Sequence, residues 1–290
     1  MSLIGITGAS GKLGSAIVKH LLTLVPPSSI VACARDTSKL TSLSSQGVDV
    51  RKTDFSDPST LGSAFKGLDK LVIVSVDKFG DEATKLHKAA IEAAKSSGVK
   101  TIYYTSQVSA SPTSAVAFGT QHAATEADLE SSGVAFVSLR NGFYLSSLEH
   151  MVGGAKHNGE IVTPQDGKVA WTSPADLAIA NAIIIASTDS FPKFVYLTAS
   201  SSYDMSDIAA ILTEAWDKPV KHVVVSPEAY KERMVGHGVP AMFVDFFVGA
   251  YKAMENGEFA KVDPKLEELL GRKPQTVEEW FEASKGAPAH

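Results

Sequence analysis

The sequence holds one cysteine, Cys33, in 290 residues. A lone thiol can build neither an intrachain disulfide framework nor a cysteine metal centre. Cys33 lies within a predicted strand, so a buried bystander in a reduced, cytoplasmic protein is expected. The eight histidines (20, 87, 122, 150, 157, 222, 237 and 290) are scattered. None forms His-x-x-x-His with an acidic partner at ligand spacing, so no metal is expected. Long apolar runs are also missing. The most apolar stretch, Leu177 to Ala186, is interrupted by Asn181, and a bilayer span needs about 20 residues. Residues 1–7 lack the basic start of a signal peptide. Lys/Arg runs are absent and the net charge is −5, which argues against nucleic acid as a ligand.

Two catalytic signatures are missing as well. There is no Gly-x-Ser-x-Gly elbow, the commonest mark of a serine hydrolase. No tyrosine has a lysine four residues on. Those positions, after Tyr103, Tyr104, Tyr144, Tyr196, Tyr203, Tyr230 and Tyr251, hold Gln107, Val108, Leu148, Ser200, Asp207, Met234 and Glu255. The acid–base pair of ordinary alcohol–ketone interconversion is therefore absent.

The chain does begin with a strand, a glycine turn and a helix. Leu3, Ile4 and Ile6 precede Gly8, Gly11 and Gly14, and Ile17, Val18, Leu21 and Leu22 follow at helical spacing. That context is the one in which a glycine triplet cradles a dinucleotide pyrophosphate, although the spacing is G-x-x-G-x-x-G. The helix start offers free N–H groups and the positive end of its dipole. The 44% hydrophobic content supports a sizeable core.

Ile30 to Ala34 reads as the second strand, with Arg35-Asp36 at its end. An acidic side chain there would favour NAD by accepting from a ribose hydroxyl; an arginine would meet the 2′-phosphate of NADP. Arg35 comes first and Lys39 adds charge, so NADPH is expected over NADH. A third strand ends at Asp54-Phe55. Asp54 is a candidate acceptor for adenine and Phe55 for flanking its ring, with local capping and core burial as the alternatives. Further strands cover Leu71 to Val76, Thr101 to Ser106 and Ala135 to Arg140. Ser75, Val76 and Thr105 fall at carboxyl ends of strands, where open α/β sheets place ligands. Residues 107–117 read as a lid-like loop. Strand and helix alternate throughout the first half, which predicts a doubly wound parallel sheet.

The second half changes character. Turns are expected over 158–168, a short edge over Ala170–Ser173, a helix from Pro174 and a strand at Phe194–Leu197. The expected division is residues 1–145 as a dinucleotide-binding domain and 146–290 as a smaller α+β substrate domain, with about 174–198 returning to the first.

Several segments taken together resemble the NmrA-like atypical short-chain dehydrogenases, and within them the type 2 quinone reductases and triphenylmethane reductases. They are Gly5 to Gly14, Arg35-Asp36 with Lys39, Asp54-Phe55, His122-Ala-Ala-Thr-Glu126, Leu139-Arg-Asn-Gly-Phe-Tyr144, Gly238-Val-Pro240, Gly257 to Ala260 and Leu269 to Arg272. The resemblance implies a Rossmann-type fold and an NADPH-dependent reductase of quinone-like or other conjugated planar acceptors. By residue, it places Gly8, Ser10, Gly11, Lys12, Leu13 and Gly14 at the pyrophosphate and Arg35 at the 2′-phosphate. Ser75, Val76 and Thr105 would line the path to the nicotinamide. Asn141, Phe143 and Tyr144 would border nicotinamide and substrate.

His122 occupies the place of a catalytic lysine in isoflavone-reductase-like relatives. His122 and Tyr144 are the candidate catalytic residues, with Glu126 one turn on to stabilise a His122 imidazolium; an exposed helix histidine is the plainer alternative. Tyr144, Leu148, Trp171, Phe246, Phe247 and Tyr251 are candidates for an aromatic substrate wall, each also suited to ordinary packing. The expected ligand is a small planar molecule and the expected assembly a monomer or homodimer. A non-catalytic dinucleotide-binding redox sensor with a protein partner is the rival reading, and a dedicated biosynthetic reductase or isomerase the third.

Overall fold

Nine short strands occur among the described residues: β1 (Ile4–Ile6), β2 (Ile30–Ala34), β3 (Asp49–Lys52), β4 (Lys70–Ile73), β5 (Thr101–Gln107), β6 (Ala135–Asn141), β7 (Glu160–Thr163), β8 (Phe194–Leu197) and β9 (Lys221–Val224). They come from a computed structural model that describes residues 2–283; His290 lies outside the described residues. Seven strands form one sheet in the order β3-β2-β1-β4-β5-β6-β8, and every pairing is parallel. Strands joined in parallel need helical crossovers, and the helices bury both faces. β1 and β2 are accordingly buried at every residue.

Side-chain alternation divides the core. Ile30, Ala32 and Ala34 of β2 face the helices Lys12–Leu21 and Pro174–Ala186, among Ile17, Val18, Leu177 and Ile184. Val31 and Cys33 face the opposite layer, with Phe65, Ile91 and Leu129. Burial pushes the Cys33 thiol up to about 11, so it is inert at neutral pH. The strand order reverses between β1 and β4. That reversal opens a crevice at their carboxyl ends, the ordinary ligand position of such sheets.

The second half adds β8 to the edge of the sheet and builds a core of its own around Leu145, Leu148, Trp171, Tyr251 and Phe259. It departs from the sequence reading in three places. Residues 160–163, expected as turn, form β7, which pairs in parallel with β9 and buries Ile161 and Thr163. The flanking Asn158-Gly159 and Pro164 masked a four-residue strand. The expected edge at Ala170–Ser173 makes only single bridges, Val169 to Tyr203 and Tyr144 to Thr172. The helix Val277–Ala283 was not foreseen. Its signal was present: Thr276 and Glu279 exchange side-chain and backbone hydrogen bonds as a capping box. The loop after β5 is no free lid. Glu258 accepts from Ser114 Oγ (2.5 Å) and from the Ala115 N–H (2.9 Å), which ties the loop to the second half.

Candidate cofactor and acceptor site

The glycine turn follows β1 directly. Gly8 has φ +61, a conformation that side chains resist, and its carbonyl accepts from the Gly11 N–H at 2.9 Å. A Cβ on Gly14 would lie 2.2 Å from the Gly8 carbonyl oxygen. The helix therefore starts in contact with the turn. Its cap, Gly11, offers no side-chain acceptor, and its first turn holds no acidic residue. The first N–H groups have no intrahelical partner, so an anion is the group this cradle fits. Lys12 is exposed and Leu13 half-buried at the same helix start. Ser10 and Lys39 line a shallow cleft of about 250 Å³ beside it.

The pair after β2 separates cleanly. Asp36 Oδ1 accepts from the Ser38 hydroxyl (2.6 Å) and N–H (3.0 Å), capping a short 3₁₀ turn. These bonds hold its carboxyl below the usual range. Arg35 is exposed and makes no hydrogen bond or ion pair within the described residues. At the end of β3, Asp54 Oδ1 is likewise held by Ser56, through its hydroxyl (2.6 Å) and N–H (2.9 Å). Phe55 is half-buried against the Phe65 layer.

A second cleft, of about 260 Å³, opens past the carboxyl ends of β4 and β5. Its near edge is built by the exit of β4 from the sheet. Three successive N–H groups are taken by side chains of three elements: Val74 by Thr7 Oγ1 (3.0 Å), Ser75 by Thr105 Oγ1 (2.9 Å) and Val76 by His87 Nε2 (3.0 Å). Buried backbone donors require such partners once the ladder ends. Ser75, Val76 and Thr105 line the cleft, with His122, Phe143 and Tyr144. One wall is aromatic. Phe79 meets Phe246 at 5.5 Å, Phe246 meets Phe118 at 5.6 Å, and Phe118 meets Phe143 at 6.0 Å.

Behind the wall lies a polar chain. His122 Nδ1 is 2.7 Å from the Tyr104 hydroxyl, and His87 Nδ1 is 3.0 Å from Thr125 Oγ1. His87 accepts the Val76 N–H at Nε2, so its own proton sits on Nδ1. Burial lowers His87 to about 4. Burial, with His87 and Arg140 nearby, lowers His122 to about 3. Both are neutral at pH 7.

This corrects the expected His122–Glu126 pair. Glu126 is one turn on but points to the sheet, where Arg140 binds it through Nε (2.9 Å) and Nη2 (2.5 Å). The hydroxyls of Ser106 (2.8 Å) and Ser138 (2.6 Å) complete its shell. No imidazolium forms at His122; it faces the cleft as a neutral ring whose Nε2 has no partner within the described residues.

Other expected residues are not brought to the cleft. Leu148, Trp171 and Tyr251 are core side chains of the second half, each no more than 1% exposed. Trp171 stacks behind Phe143 at 5.2 Å and so backs the wall without lining it. Phe247 packs edge-on against Phe246 at 5.7 Å, one layer away. Asn141 is buried at the end of β6, where its Oδ1 accepts from Asn181 Nδ2 at 3.4 Å. Burial raises the Tyr144 phenol above its ordinary value, with the nearby Asn141 amide opposing. Conversely, Phe79, Phe118 and Gln121 line the cleft and carried no distinct signal, whereas Gln107 falls at the strand end expected to face it. Phe118 meets Phe246 from a helix more than a hundred residues away, and no local pattern reports that contact.

The NmrA-like family profile matches residues 1–281. Quinone oxidoreductase 2 of Escherichia coli (strain K12) is 33% identical over 278 residues, 96% of each chain. The crystal structure of the Escherichia coli NADPH-dependent quinone oxidoreductase complexed with NADPH superposes with a TM-score of 0.91 at 32% identity, over 97% of this chain and 99% of that one. The Citrobacter sp. triphenylmethane reductase complexed with NADP(H) gives 0.89 at 31%, with the same coverage. A glycine-turn cradle, a parallel sheet with its crevice, and likeness along nearly the whole length agree: this chain belongs to the NmrA-like family.

Proposed function

We propose that this protein is an NADPH-dependent reductase that passes a hydride directly to quinone-like or other conjugated planar acceptors. The observation that carries this reading is the aromatic-walled cleft at the carboxyl ends of β4 and β5, beside the glycine cradle. Bound NADPH supplies a hydride, two electrons with one hydrogen, and leaves as NADP⁺. The chain's part is to hold, orient and exclude water.

Gly8, Gly11 and Gly14, with Ser10, Lys12 and Leu13, receive the pyrophosphate. Arg35, assisted by Lys39, receives the 2′-phosphate, since the carboxylate of Asp36 is already engaged by Ser38. Asp54 and Phe55 flank the adenine. Ser75, Val76, Thr105 and Phe143 surround the nicotinamide, and Asn141 lies buried behind them at the end of β6. His122 and Tyr144 present polar groups to the acceptor. His122, being neutral, acts as a hydrogen-bond donor or acceptor and not as a charged acid. Planar acceptors suit the ring wall, whose offset and tilted rings match a flat π-system.

Residues 1–145 serve the cofactor and 146–290 shape the acceptor side. We place the protein in the cytoplasm, on its single, buried thiol, as a monomer or homodimer. Among the described residues, no helix is long and apolar enough to cross a membrane.

The test is a titration with NADPH and NADH, followed by addition of a simple quinone while the absorbance of the reduced cofactor is followed. Tighter binding of NADPH with turnover is expected. Tight binding without turnover across varied acceptors would replace the reductase with the sensor, and no binding of either cofactor would refute the cradle.

A further inference from the structure

Gln107 is the last residue of β5 and part of the cleft wall. It is 8% exposed. Its Oε1 accepts from the Ser109 N–H (2.6 Å) and hydroxyl (2.5 Å). A backbone N–H can only donate, so the oxygen and nitrogen of this amide are unambiguously placed. Nε2, the other end, is buried and has no acceptor. An unmet buried donor is costly and uncommon, and it calls for a partner. None comes from the cleft's other amide, Gln121, whose Oε1 is taken by the Gly80 N–H at 3.1 Å.

We propose that Gln107 donates from Nε2 to the carbonyl oxygen of the acceptor, and that this bond selects carbonyl acceptors of the quinone class over cationic dyes. The proposal rests on the reductase reading. In quinone reduction the acceptor gains the hydride, one oxygen then carries the negative charge, and a proton from water completes the hydroquinone. A donor fixed at that oxygen stabilises the charge as it develops. A triphenylmethane cation gains the hydride at its central carbon and becomes neutral. It has no oxygen to charge, so the same donor gives it nothing.

Gln107→Glu tests this. Glutamate keeps the oxygen that Ser109 requires and replaces the donor with a second acceptor. The ratio of kcat/KM for a naphthoquinone to that for a cationic triphenylmethane dye is expected to fall about 10- to 100-fold. The ratio should recover as pH falls and the new carboxyl becomes a donor. The other titratable groups on the cleft, His122, Tyr144, Asp77 and Lys78, are shared with the wild type, whose own profile is the control. A readout free of turnover is the infrared carbonyl band of the quinone bound beside NADP⁺. It is expected to be red-shifted in the wild type and to lose that shift in the variant. Gln107→Met, which removes the donor and introduces no titratable group, should lower the ratio without recovery at low pH.

An unmoved ratio and unmoved band, with the wild type still reducing quinone, overturn this proposal alone. An equal loss for both acceptors with weakened NADPH binding also overturns it, since the amide then serves the cofactor. Absence of quinone reduction by the wild type overturns the reductase reading and this proposal with it.

Discussion

Arg35 and Asp36 are neighbours in sequence with opposite implications for the cofactor, and the structure separates them by what each already touches. Asp36 spends its carboxylate on Ser38, while Arg35 keeps five donors free at the surface. A guanidinium suits a phosphate dianion as a two-pronged donor. Arg35→Ala is therefore expected to weaken NADPH binding by about 10- to 100-fold, the scale of losing one or two charged hydrogen bonds, while NADH binding changes little. Calorimetric titration with both cofactors checks this. Equal weakening of the two would remove the 2′-phosphate from Arg35. His122 gives the opposite lesson. Its helix spacing to Glu126 was visible in the chain, but spacing does not say which way a carboxylate turns. Arg140, from a strand, claimed it.

At the scale of elements, the decisive contact is that between the first helix and the turn that precedes it. Two backbones meet there with no room for a methyl group. Gly14→Ala is expected to destabilise the fold by about 1–3 kcal/mol, as overpacking against an unyielding backbone does, and to weaken NADPH at the same time because the cradle must open. Urea unfolding beside a cofactor titration measures both. Stability and binding unaltered together would show that the helix start is not seated on the turn. The exit of β4 is a comparable device. Thr7, Thr105 and His87 hold three consecutive backbone donors, so the cleft edge is a fixed rim. The composition of that segment suggests a strand running on to Val76; the hydrogen bonds end the strand at Ile73.

For the whole molecule, the two buried histidines link stability to pH. In the unfolded chain each titrates near 6.5; in the folded chain His87 does so at about 4 and His122 at about 3. As pH falls below 6.5 the unfolded state takes up protons first, so stability drops. The loss grows until the folded pKa values are reached and then levels off. Between about pH 6 and pH 4 each histidine contributes a slope of roughly 1.4 kcal/mol per pH unit at most. Chemical denaturation across that range should show it, and His87→Asn together with His122→Asn should flatten it. An unchanged slope in the double variant would place the acid sensitivity elsewhere. The same burial explains why neither ring can serve as a charged acid at neutral pH.

Much of this protein was legible in the chain, for reasons of period and punctuation. Ile30–Ala34 and Phe194–Leu197 coincide with their elements because apolar runs and turn residues delimit them locally. The cradle was legible for the same reason: strand, turn and helix start are contiguous, Gly8 takes a positive φ and Gly14 stands where contact forbids a side chain. The acceptor side was not. Phe79, Phe118, Phe143 and Phe246 become one wall only after distant segments meet, and Trp171 and Tyr251, equally aromatic, go to the core instead. Residue type tells which side chains prefer to leave water; which of them line a cleft and which fill a core depends on contacts between halves of the chain.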